Sequence, residues 1–265
     1  YLVGSLLNNI GLFFGLTRFG GAIDKGVIFE WNPFTSVYYK KVDFSGTANG
    51  GYPYGDLSLF NGRFYGMTYS GGINNKGVIF EWDPILNNFD KRIDFNTYQK
   101  GANPYGKLSV FNGKFFGVTY NGGFYDYGAI FEWDPSTNIF IKRIDFNYIE
   151  KGAHPRGSIA LNDGKFYGMT SEGTSDGFGV GVIFEWDPSA VNTYTKLHDF
   201  NIINGCWPRY TQLAVYNDST AAAQATNIYF TDLQNTSMNI NWVDGSGEKR
   251  AVFIKQGSDG TAAPV

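Results

Sequence analysis

The sequence predicts an all-β fold, a β-propeller of four-stranded blades with repeats of about 51 residues, incomplete as it stands and followed by the first half of a β-sandwich. Three observations lead to this prediction. A Glu-Trp-(Asp/Asn)-Pro motif recurs four times, and its tryptophans lie 51, 51 and 53 residues apart, at Trp31, Trp82, Trp133 and Trp186. A Gly-x-(Leu/Ile) block recurs every 51 residues, at Gly4, Gly55, Gly106 and Gly157. No segment of useful length shows the periodicity of an amphipathic helix.

The repeat that begins at Gly106 shows the expected order of strands. Its predicted strands cover residues 107–111, 114–120, 128–133 and 140–146. Asn112-Gly113 separates the first two strands, and this pair favours the positive φ angles of a two-residue hairpin turn. The third strand is almost wholly apolar, as expected of a strand covered on both faces, and Asp134-Pro135 starts the turn into the fourth. Each repeat is therefore predicted to be a four-stranded antiparallel meander.

Such a sheet cannot bury both apolar faces alone, so the copies must stack. Radial stacking gives a propeller; a linear β-solenoid is the alternative, although its coils usually have shorter strands. The propeller region is predicted to cover residues 1–218, with units that begin near 4, 55, 106 and 157 and a partial unit near 207. The partial unit matches only a first strand, so we expect the sequence to begin within the domain, with its preceding blades upstream.

A different pattern follows the repeats. Residues 219–223 are predicted to be a linker and residues 224–265 part of a second domain, with strands over 227–233, 237–243 and 250–255. Met238, Ile240 and Trp242 share one face of the second of these strands. The segment resembles the first half of a fibronectin type III domain, and a capping extension of the last blade is the alternative. Because half a sandwich cannot bury a core, we expect the C-terminus to be a cut as well.

Composition excludes several classes of function. Charged residues make up 17% of the chain, against about 25% in ordinary globular proteins, and the net charge is −3. The chain has no basic run of the kind that nucleic-acid phosphates require, so no nucleic-acid partner is predicted. No apolar stretch approaches the roughly 18 residues of a membrane span, so no membrane insertion is predicted. The single cysteine, Cys206, excludes an internal disulfide framework.

One longer pattern points to a family. Residues 77–84 and 181–188 both read Gly-Val-Ile-Phe-Glu-Trp-Asp-Pro, and upstream of them stands (Phe/Leu)-Asn-Gly-x-Phe-(Tyr/Phe)-Gly-(Met/Val)-Thr. This combination resembles the GloVer tandem repeat of Gloeobacter and Verrucomicrobia. The resemblance covers roughly residues 4–216. It implies a bacterial surface protein of the choice-of-anchor type, hence export, an extracellular or cell-surface location and contact with secretion or anchoring machinery. Together with the fibronectin-like neighbour, the layout is similar to that of Bacteroidetes proteins exported by the type IX pathway. The resemblance supplies no catalytic residues.

Each repeat carries one Glu and one Asp at fixed places, and paired carboxylates are what a glycosidase uses. These acids are Glu30, Glu81, Glu132 and Glu185, with Asp43, Asp94, Asp145 and Asp199. We favour a structural interpretation, because four equivalent active sites are not expected. The glutamates share a strand face with apolar isoleucines, which predicts buried groups paired to Lys or Arg of the next strand, with Arg92 and Arg143 as partners.

The two histidines differ in their setting. His198 occupies the place of the apolar Val42, Ile93 and Ile144, which predicts a hydrogen-bonded core residue. His154 lies on a loop just before a proline, where it can touch a ligand. Two histidines far apart and one cysteine argue against a zinc site.

No cofactor is predicted. The Gly-Gly pairs of the repeats do not open helices, so they form no phosphate-binding helix N-terminus. Calcium is the one metal to consider, at Asp176 and at the equivalent Asp126 and Asn74-Asn75. None of these loops has the density of acidic ligands that a dedicated calcium loop supplies.

The variable loops indicate where a ligand would bind. The second–third loops and the connections between units share one rim and differ from unit to unit, while the turns of the other rim are nearly constant. Binding residues favour such loops. The residues flanking the loop proline are the candidates: Tyr52, Tyr54, Asn103, Tyr105, His154, Arg156, Trp207 and Arg209. Such aromatic and cationic groups stack on sugars or anchor proteins. The alternative is that Tyr54 and Tyr105 pack between blades.

These observations favour a secreted or cell-surface bacterial protein that acts as a non-enzymatic binding or adhesion module for a glycan or protein ligand. One alternative is a propeller-type polysaccharide lyase or glycosidase, for which His154 is the candidate residue because an enzyme needs an acid or histidine unique to one unit. The other alternative is a passive stalk or secretion cargo without a ligand.

Overall fold

The computed structural model describes residues 5–174, 179–189, 193–209 and 213–215, with the backbone of residues 226–231 and 239–243. The chain divides into two compact units, residues 1–215 and residues 216–265. In the described part of the chain the regular structure is β throughout, and no helix long and apolar enough to cross a membrane occurs there.

The first unit contains four antiparallel sheets, each with its strands in chain order. Sheet 1 is formed by β1 (Leu7–Asn9), β2 (Leu12–Thr17), β3 (Val27–Asn32) and β4 (Val37–Asp43). Sheet 2 is formed by β5 (Ser58–Phe60), β6 (Arg63–Thr68), β7 (Val78–Asp83) and β8 (Asn88–Asp94). Sheet 3 is formed by β9 (Ser109–Phe111), β10 (Lys114–Thr119), β11 (Ala129–Asp134) and β12 (Ile139–Asp145). Sheet 4 is formed by β13 (Ala160–Asn162), β14 (Lys165–Met169), β15 (Val182–Asp187) and β16 (Thr193–Asp199). The predicted all-β fold with four-stranded, propeller-type blades is confirmed.

Short turns close one end of every sheet. Asn61 and Asn112 each have a φ of 48° and precede a glycine with positive φ, as a two-residue hairpin turn requires. Ile10 holds the same position in sheet 1 with a φ of 53°, an unfavourable conformation for a β-branched residue. In the turn between the third and fourth strands, Asp83 Oδ1 accepts hydrogen bonds of 2.9 and 3.0 Å from the N–H groups two and three residues later.

Every fourth strand carries a β-bulge opposite the third strand, at the same place in the repeat. The extra residues are Lys41, Arg92, Arg143 and Leu197. A bulge re-aims a side chain, and in the first three sheets it directs a cation onto the glutamate of the third strand. The predicted partners of Glu81 and Glu132, Arg92 and Arg143, are therefore confirmed.

The hydrophobic core lies between successive sheets. We call the side of a sheet that packs on the next sheet its trailing face, and the side that receives the previous sheet its leading face. Phe14 and Ile28 on the trailing face of sheet 1 pack against Phe64 and Trp82 on the leading face of sheet 2. The same arrangement joins sheet 2 to sheet 3 and sheet 3 to sheet 4. The repeated Trp motif thus supplies one half of each interface.

The first strands of neighbouring sheets contact one another at the inner edge of the unit. Ser58 Oγ donates a 2.6 Å hydrogen bond to the carbonyl of Leu108, and Ser109 makes the equivalent bond to sheet 4. A Cβ atom on Gly55 would lie 2.2 Å from the carbonyl oxygen of Gly106. This close approach of two backbones explains the recurrent Gly-x-(Leu/Ile) block.

The second unit is described by two antiparallel strands, β17 (Thr226–Thr231) and β18 (Asn239–Val243). They overlap the strands predicted over 227–233 and 237–243. The third predicted strand, over 250–255, the linker over 219–223 and most of the partial fifth unit lie outside the described residues. The fibronectin-like assignment and the predicted domain boundaries stay predictions.

Candidate functional site

The second–third loops and the inter-unit connections lie together at one end of the sheets, which we call the variable rim. Backbone bridges join each connection to the loop of the following sheet, and they pair Gly51 with Ser70, Ala102 with Asn121, and Ala153 with Glu172. The aspartate that ends the fourth strand also holds the loop, since Asp94 Oδ1 accepts a 2.8 Å hydrogen bond from the N–H of Ile73. Asp43 and Asp145 make the same contact. These aspartates therefore have the predicted structural role.

Four predicted site residues occupy one repeated position, directly before the loop proline. They are Tyr52, Asn103, His154 and Trp207, and their φ angles lie between 51° and 56°. Each N–H donates a 2.8 Å hydrogen bond to a carbonyl in the second–third loop of the preceding sheet. Left-handed conformations of non-glycine residues cost about 1–3 kcal/mol and cluster at functional sites. Because main-chain bonds fix this position, its side chain can differ from unit to unit.

The side chains at this position make different contacts. The Tyr52 hydroxyl accepts a 2.8 Å hydrogen bond from Lys25 Nζ. The Asn103 side-chain amide donates at 2.9 Å to the main-chain carbonyl of Tyr69 in the preceding sheet, and the residue is buried. Trp207 is 49% exposed, and Arg209, two residues further, is exposed as well. The rim thus presents an aromatic and a cationic group near the end of the first unit.

A column of tyrosines with an arginine at each end crosses the rim from sheet to sheet. Its members are Arg18, Tyr54, Tyr69, Tyr105, Tyr120 and Arg156. The ring centroids of Tyr54 and Tyr105 are 4.5 Å apart, and the two residues are 6% and 8% exposed. Burial, reinforced by the neighbouring tyrosine hydroxyls, raises the pKa of Tyr105. Tyr54 and Tyr105 therefore pack between blades, as the alternative interpretation has it, and ligand contact by them stays a prediction.

His154 contacts a carbonyl of the third unit and a carboxylate that the equivalent positions of the other units lack. Its Nδ1 lies 2.9 Å from the carbonyl oxygen of Tyr120. A carbonyl can only accept, so Nδ1 carries a proton, and Nε2 lies 3.9 Å from the Glu172 carboxylate. The Tyr120 hydroxyl in turn accepts a 2.8 Å hydrogen bond from Arg156. Sequence reasoning missed Glu172; the signal was an acid at a loop position where the other units carry Phe, Ser or Asn.

A second group missed from the sequence is an exposed aromatic cluster formed by Tyr98, Phe124 and Tyr125. These residues are 56%, 58% and 53% exposed. The ring centroid of Phe124 lies 5.8 Å from that of Tyr98 and 4.8 Å from that of Tyr125. All three lie on the variable loops. In the sequence, the available signal was three aromatic residues within these loops, away from the prolines.

The recurrent glutamates are ion-paired within the sheets. Glu81, which is 3% exposed, lies between Arg63 and Arg92. Burial by itself would raise the pKa of Glu132, but hydrogen bonds from Lys114 and Arg143 outweigh it and hold that pKa below its usual value. Two cations neutralise each of these carboxylates. The predicted burial and ion pairing are confirmed for Glu81 and Glu132, whereas Glu30 and Glu185 are half-buried and pair with one cation each, Lys41 and Lys165.

His198 requires a correction. It pairs with Ile183 across the sheet, at the register of the apolar residues in the other units. It is nevertheless exposed, and its Nε2 accepts a 2.9 Å hydrogen bond from Asn204. The prediction of a core histidine was wrong, because among the described residues of the first unit no further sheet follows sheet 4 to cover this position.

The residues considered for calcium binding that the structure describes make hydrogen bonds within their own loops. Asp126 Oδ1 accepts a 2.7 Å hydrogen bond from the N–H of Gly122, as Asn75 does from Gly71. Within the described residues, no three His, Cys, Asp or Glu side chains group to hold a metal. Asp176 lies outside the described residues.

A cavity of about 680 Å³ runs along the first strands of all four sheets. Its lining is mixed, with Leu7, Leu59, Leu108 and Leu161 beside the polar residues Asn8 and Lys107. The Ser58 and Ser109 hydroxyls in this wall are bonded to the next sheet.

Comparison with known proteins gives one family. A family model described as the Gloeobacter/Verrucomicrobia repeat matches residues 1–123 and 98–224. Among solved structures, the crystal structure of TolB from Acinetobacter baumannii is similar with a TM-score of 0.46 and 10% identity, covering 71% of this chain and 40% of that one. No curated protein matches the chain.

Proposed function

The chain belongs to the Gloeobacter/Verrucomicrobia repeat family, and from this premise we propose that it is a non-enzymatic binding or adhesion module that acts outside the bacterial cell. Its ligand is a glycan or a protein bound at the variable rim. One observation carries the proposal: exposed aromatic side chains cluster on the loops that differ between units, above sheets that repeat. Aromatic rings stack on sugars and anchor protein partners.

The proposed contact surface combines the aromatic cluster Tyr98, Phe124 and Tyr125 with the residues before the loop prolines. The cluster supplies apolar area at a low cost in conformational entropy, because each ring has only two side-chain torsions. Of the residues before the prolines, Tyr52, His154 and Trp207 are partly or largely exposed, and they add a different group in each unit, which gives the surface its selectivity.

Glycan and protein arrays probed with the wild-type protein test this proposal. The double variant Phe124→Ala/Tyr125→Ala is expected to weaken binding of any ligand found by at least tenfold. The matched control is Ile85→Ala/Leu86→Ala, which removes two side chains 88% and 75% exposed on the opposite rim and is expected to bind as the wild type. Equal losses in both variants would contradict a rim site. A clean negative on both arrays would favour the passive stalk.

Location is a separate part of the proposal. Export to the cell surface, by the type IX pathway where the source bacterium has one, follows from the surface-protein character of the resembled family. Surface digestion of intact cells with a protease, followed by detection with an antibody, tests it. We expect loss of the protein from intact cells while a cytoplasmic marker persists; protection of both would overturn the extracellular assignment.

A second candidate function is turnover of a polysaccharide by a lyase or glycosidase. The observation that favours it is the pairing of His154 with Glu172, two titratable groups that occur together in one unit. Such pairs serve as general acids and bases when a substrate reaches them. Release of oligosaccharides by the wild type and its loss in His154→Ala would support this function. Turnover that survives in His154→Ala would place the reaction elsewhere.

A further inference from the structure

The exposed aromatic cluster lies on loops of the two middle sheets. Tyr98 belongs to the connection from sheet 2 to sheet 3, and Phe124 and Tyr125 belong to the second–third loop of sheet 3. Ile73, in the equivalent loop of sheet 2, is 75% exposed. Sheets 1 and 4 pack on either side of sheets 2 and 3, so this part of the rim lies away from both ends of the unit. Its exposure therefore occurs between sheets whose neighbours on both sides are described.

The three rings do not form one flat surface. The plane of Phe124 makes an angle of 75° with that of Tyr125 and of 51° with that of Tyr98. Stacking on a polysaccharide uses aromatic faces that lie in line, because successive sugar rings lie along one chain. The branched side chain of Ile73 offers no such face. Exposed rings at these angles form an apolar group that suits insertion between the side chains of a protein.

Polar side chains of these loops are hydrogen-bonded within the rim. Asn74 donates a 3.0 Å hydrogen bond to the carbonyl of Phe95. Asn75 and Asp126 each accept a hydrogen bond from a main-chain N–H of their own loop. Recognition of a sugar depends on polar groups that are directed at its hydroxyls, and these three side chains are engaged elsewhere. The exposed surface therefore favours apolar contact with a protein.

This part of the rim carries an excess of positive charge. The three segments that form it contain three lysines and one acid, Asp126. The segments are residues 69–77, 95–108 and 120–128, and the lysines are Lys76, Lys100 and Lys107. Among the described residues these lysines make no ion pair, whereas every lysine and arginine of the described strands makes one. An apolar patch bordered by such lysines is complementary to a partner of negative charge.

We infer that the ligand of this part of the rim is a protein whose contacting surface is apolar and bordered by Asp and Glu residues. The inference rests on the proposed binding function and chooses between the two ligand classes that it leaves open. In the complex, apolar side chains of the partner cover the rings of Phe124 and Tyr125, and its carboxylates face Lys76 and Lys100. Electrostatic attraction of this kind speeds association and orients the partner.

A displayed library of random peptides, panned on the wild-type protein, tests the chemistry of the partner. We expect the enriched peptides to combine aromatic or aliphatic residues with an excess of Asp and Glu over Lys and Arg. Their affinity is expected to fall at least about tenfold in Phe124→Ala/Tyr125→Ala, as at an interface hot spot, and to weaken as the sodium chloride concentration is raised. Enrichment without acidic residues, affinity independent of salt, or no enrichment at all would overturn the inference.

Two charge variants separate direct contact from overall charge. Lys76→Gln/Lys100→Gln removes two lysines of the rim, and a loss of affinity of about two- to fivefold per lysine is expected from exposed ion pairs. Lys40→Gln/Lys196→Gln changes the net charge equally, but these lysines already pair with aspartates of their own strands, so this control is expected to bind as the wild type. Circular dichroism establishes that each variant is folded. Equal losses in the two variants would overturn the inference.

Polygalacturonate and laminarin, an acidic and a neutral polysaccharide, distinguish failure of this inference from failure of the proposed function. We expect neither polysaccharide to bind at the aromatic cluster. Polysaccharide binding that is lost in Phe124→Ala/Tyr125→Ala would assign the cluster to a glycan, which overturns the inference but leaves the rim as a binding site. Absence of binding to peptides and to polysaccharides alike would count against the proposed function as well.

Discussion

Arg92 Nη1 lies 3.1 Å from Glu81 Oε2, and the β-bulge in β8 brings the two groups together. In a regular strand Arg92 would point to the face opposite that of its neighbour Ile93, because side chains alternate. The bulge re-aims the guanidinium toward the face that carries Glu81. A backbone irregularity kept in all four sheets thus places a counter-charge beside a buried carboxylate in the first three of them.

The ion pairs should make stability depend on pH in the acid range. Glu132→Gln is expected to lower the free energy of unfolding at pH 7 by about 2 kcal/mol, less than the roughly 3–5 kcal/mol of fully buried pairs, because Lys114 and Arg143 are partly exposed. Since the folded-state pKa of Glu132 lies below its usual 4.5, the ionised carboxylate stabilises the fold above that pH and its contribution is lost as the pH falls through the lower folded value.

Urea unfolding at pH 7, 4 and 3 measures this effect. The wild-type and Glu132→Gln stabilities are expected to converge as the pH drops below 4.5. Glu150→Gln, in an exposed loop, serves as the control and should stay close to the wild type at pH 7. A constant difference across the series would contradict the prediction.

The motif tryptophans should contribute to the free energy of unfolding according to how deeply each is buried. Trp82 is 0% exposed between sheets 1 and 2, so Trp82→Ala is expected to cost about 3–5 kcal/mol. Trp31→Ala, on the leading face of sheet 1, should cost distinctly less, because Trp31 is only half-buried. Chemical denaturation of both variants gives the comparison. A loss below about 1 kcal/mol for Trp82→Ala would mean that its interface is not formed.

The glycines at the inner edge should be intolerant of a methyl group. Gly55→Ala would bring a Cβ to 2.2 Å from the Gly106 carbonyl oxygen, so the sheets must move apart. We expect a loss of about 3 kcal/mol, the upper end of the usual cost of overpacking. Gly62→Ala is the useful comparison, because its Cβ meets nothing within 4 Å and its cost comes only from a φ of +75°. Equal thermal shifts in the two variants would argue against crowding at Gly55.

One substitution should stabilise the protein. Ile10 adopts a φ of 53° in a hairpin turn and is 93% exposed, so its side chain gains little from packing. Ile10→Asn places there the residue that Asn61 and Asn112 supply in the next two sheets, and about 1 kcal/mol of stabilisation is expected from the removed strain. A higher midpoint in thermal unfolding is the expected readout, and a lower one would refute the assignment.

Much of the fold was accessible from the sequence because each signal occurs four times. The strands around Asn112-Gly113 and Asp134-Pro135 lie within two residues of their predicted bounds. The pairing of Arg92 with Glu81 followed from a charged residue on an apolar strand face. His198 was predicted wrongly because a single repeat position says what a face contains but not whether another sheet covers it.

The candidate site was harder to predict from the sequence, because its geometry depends on the local backbone conformation. Tyr52 and Trp207 adopt a left-handed backbone conformation that neither residue type favours, whereas Asn103 and His154 are of types enriched in it. Their side-chain directions therefore could not be derived from propensity. Likewise, Glu172 meets His154 only because a backbone bridge joins Ala153 to the following loop.

In every unit the residue before the loop proline is anchored by the same main-chain hydrogen bond, from its N–H to the preceding sheet, whatever its side chain is. The side chain at this position can therefore be substituted while the backbone stays anchored. Tyr52 or Trp207 can therefore be substituted without disturbing the sheets that carry them. Duplication of a unit adds another loop position of the same kind. The rim can therefore acquire new recognition properties one residue at a time, at little risk to folding.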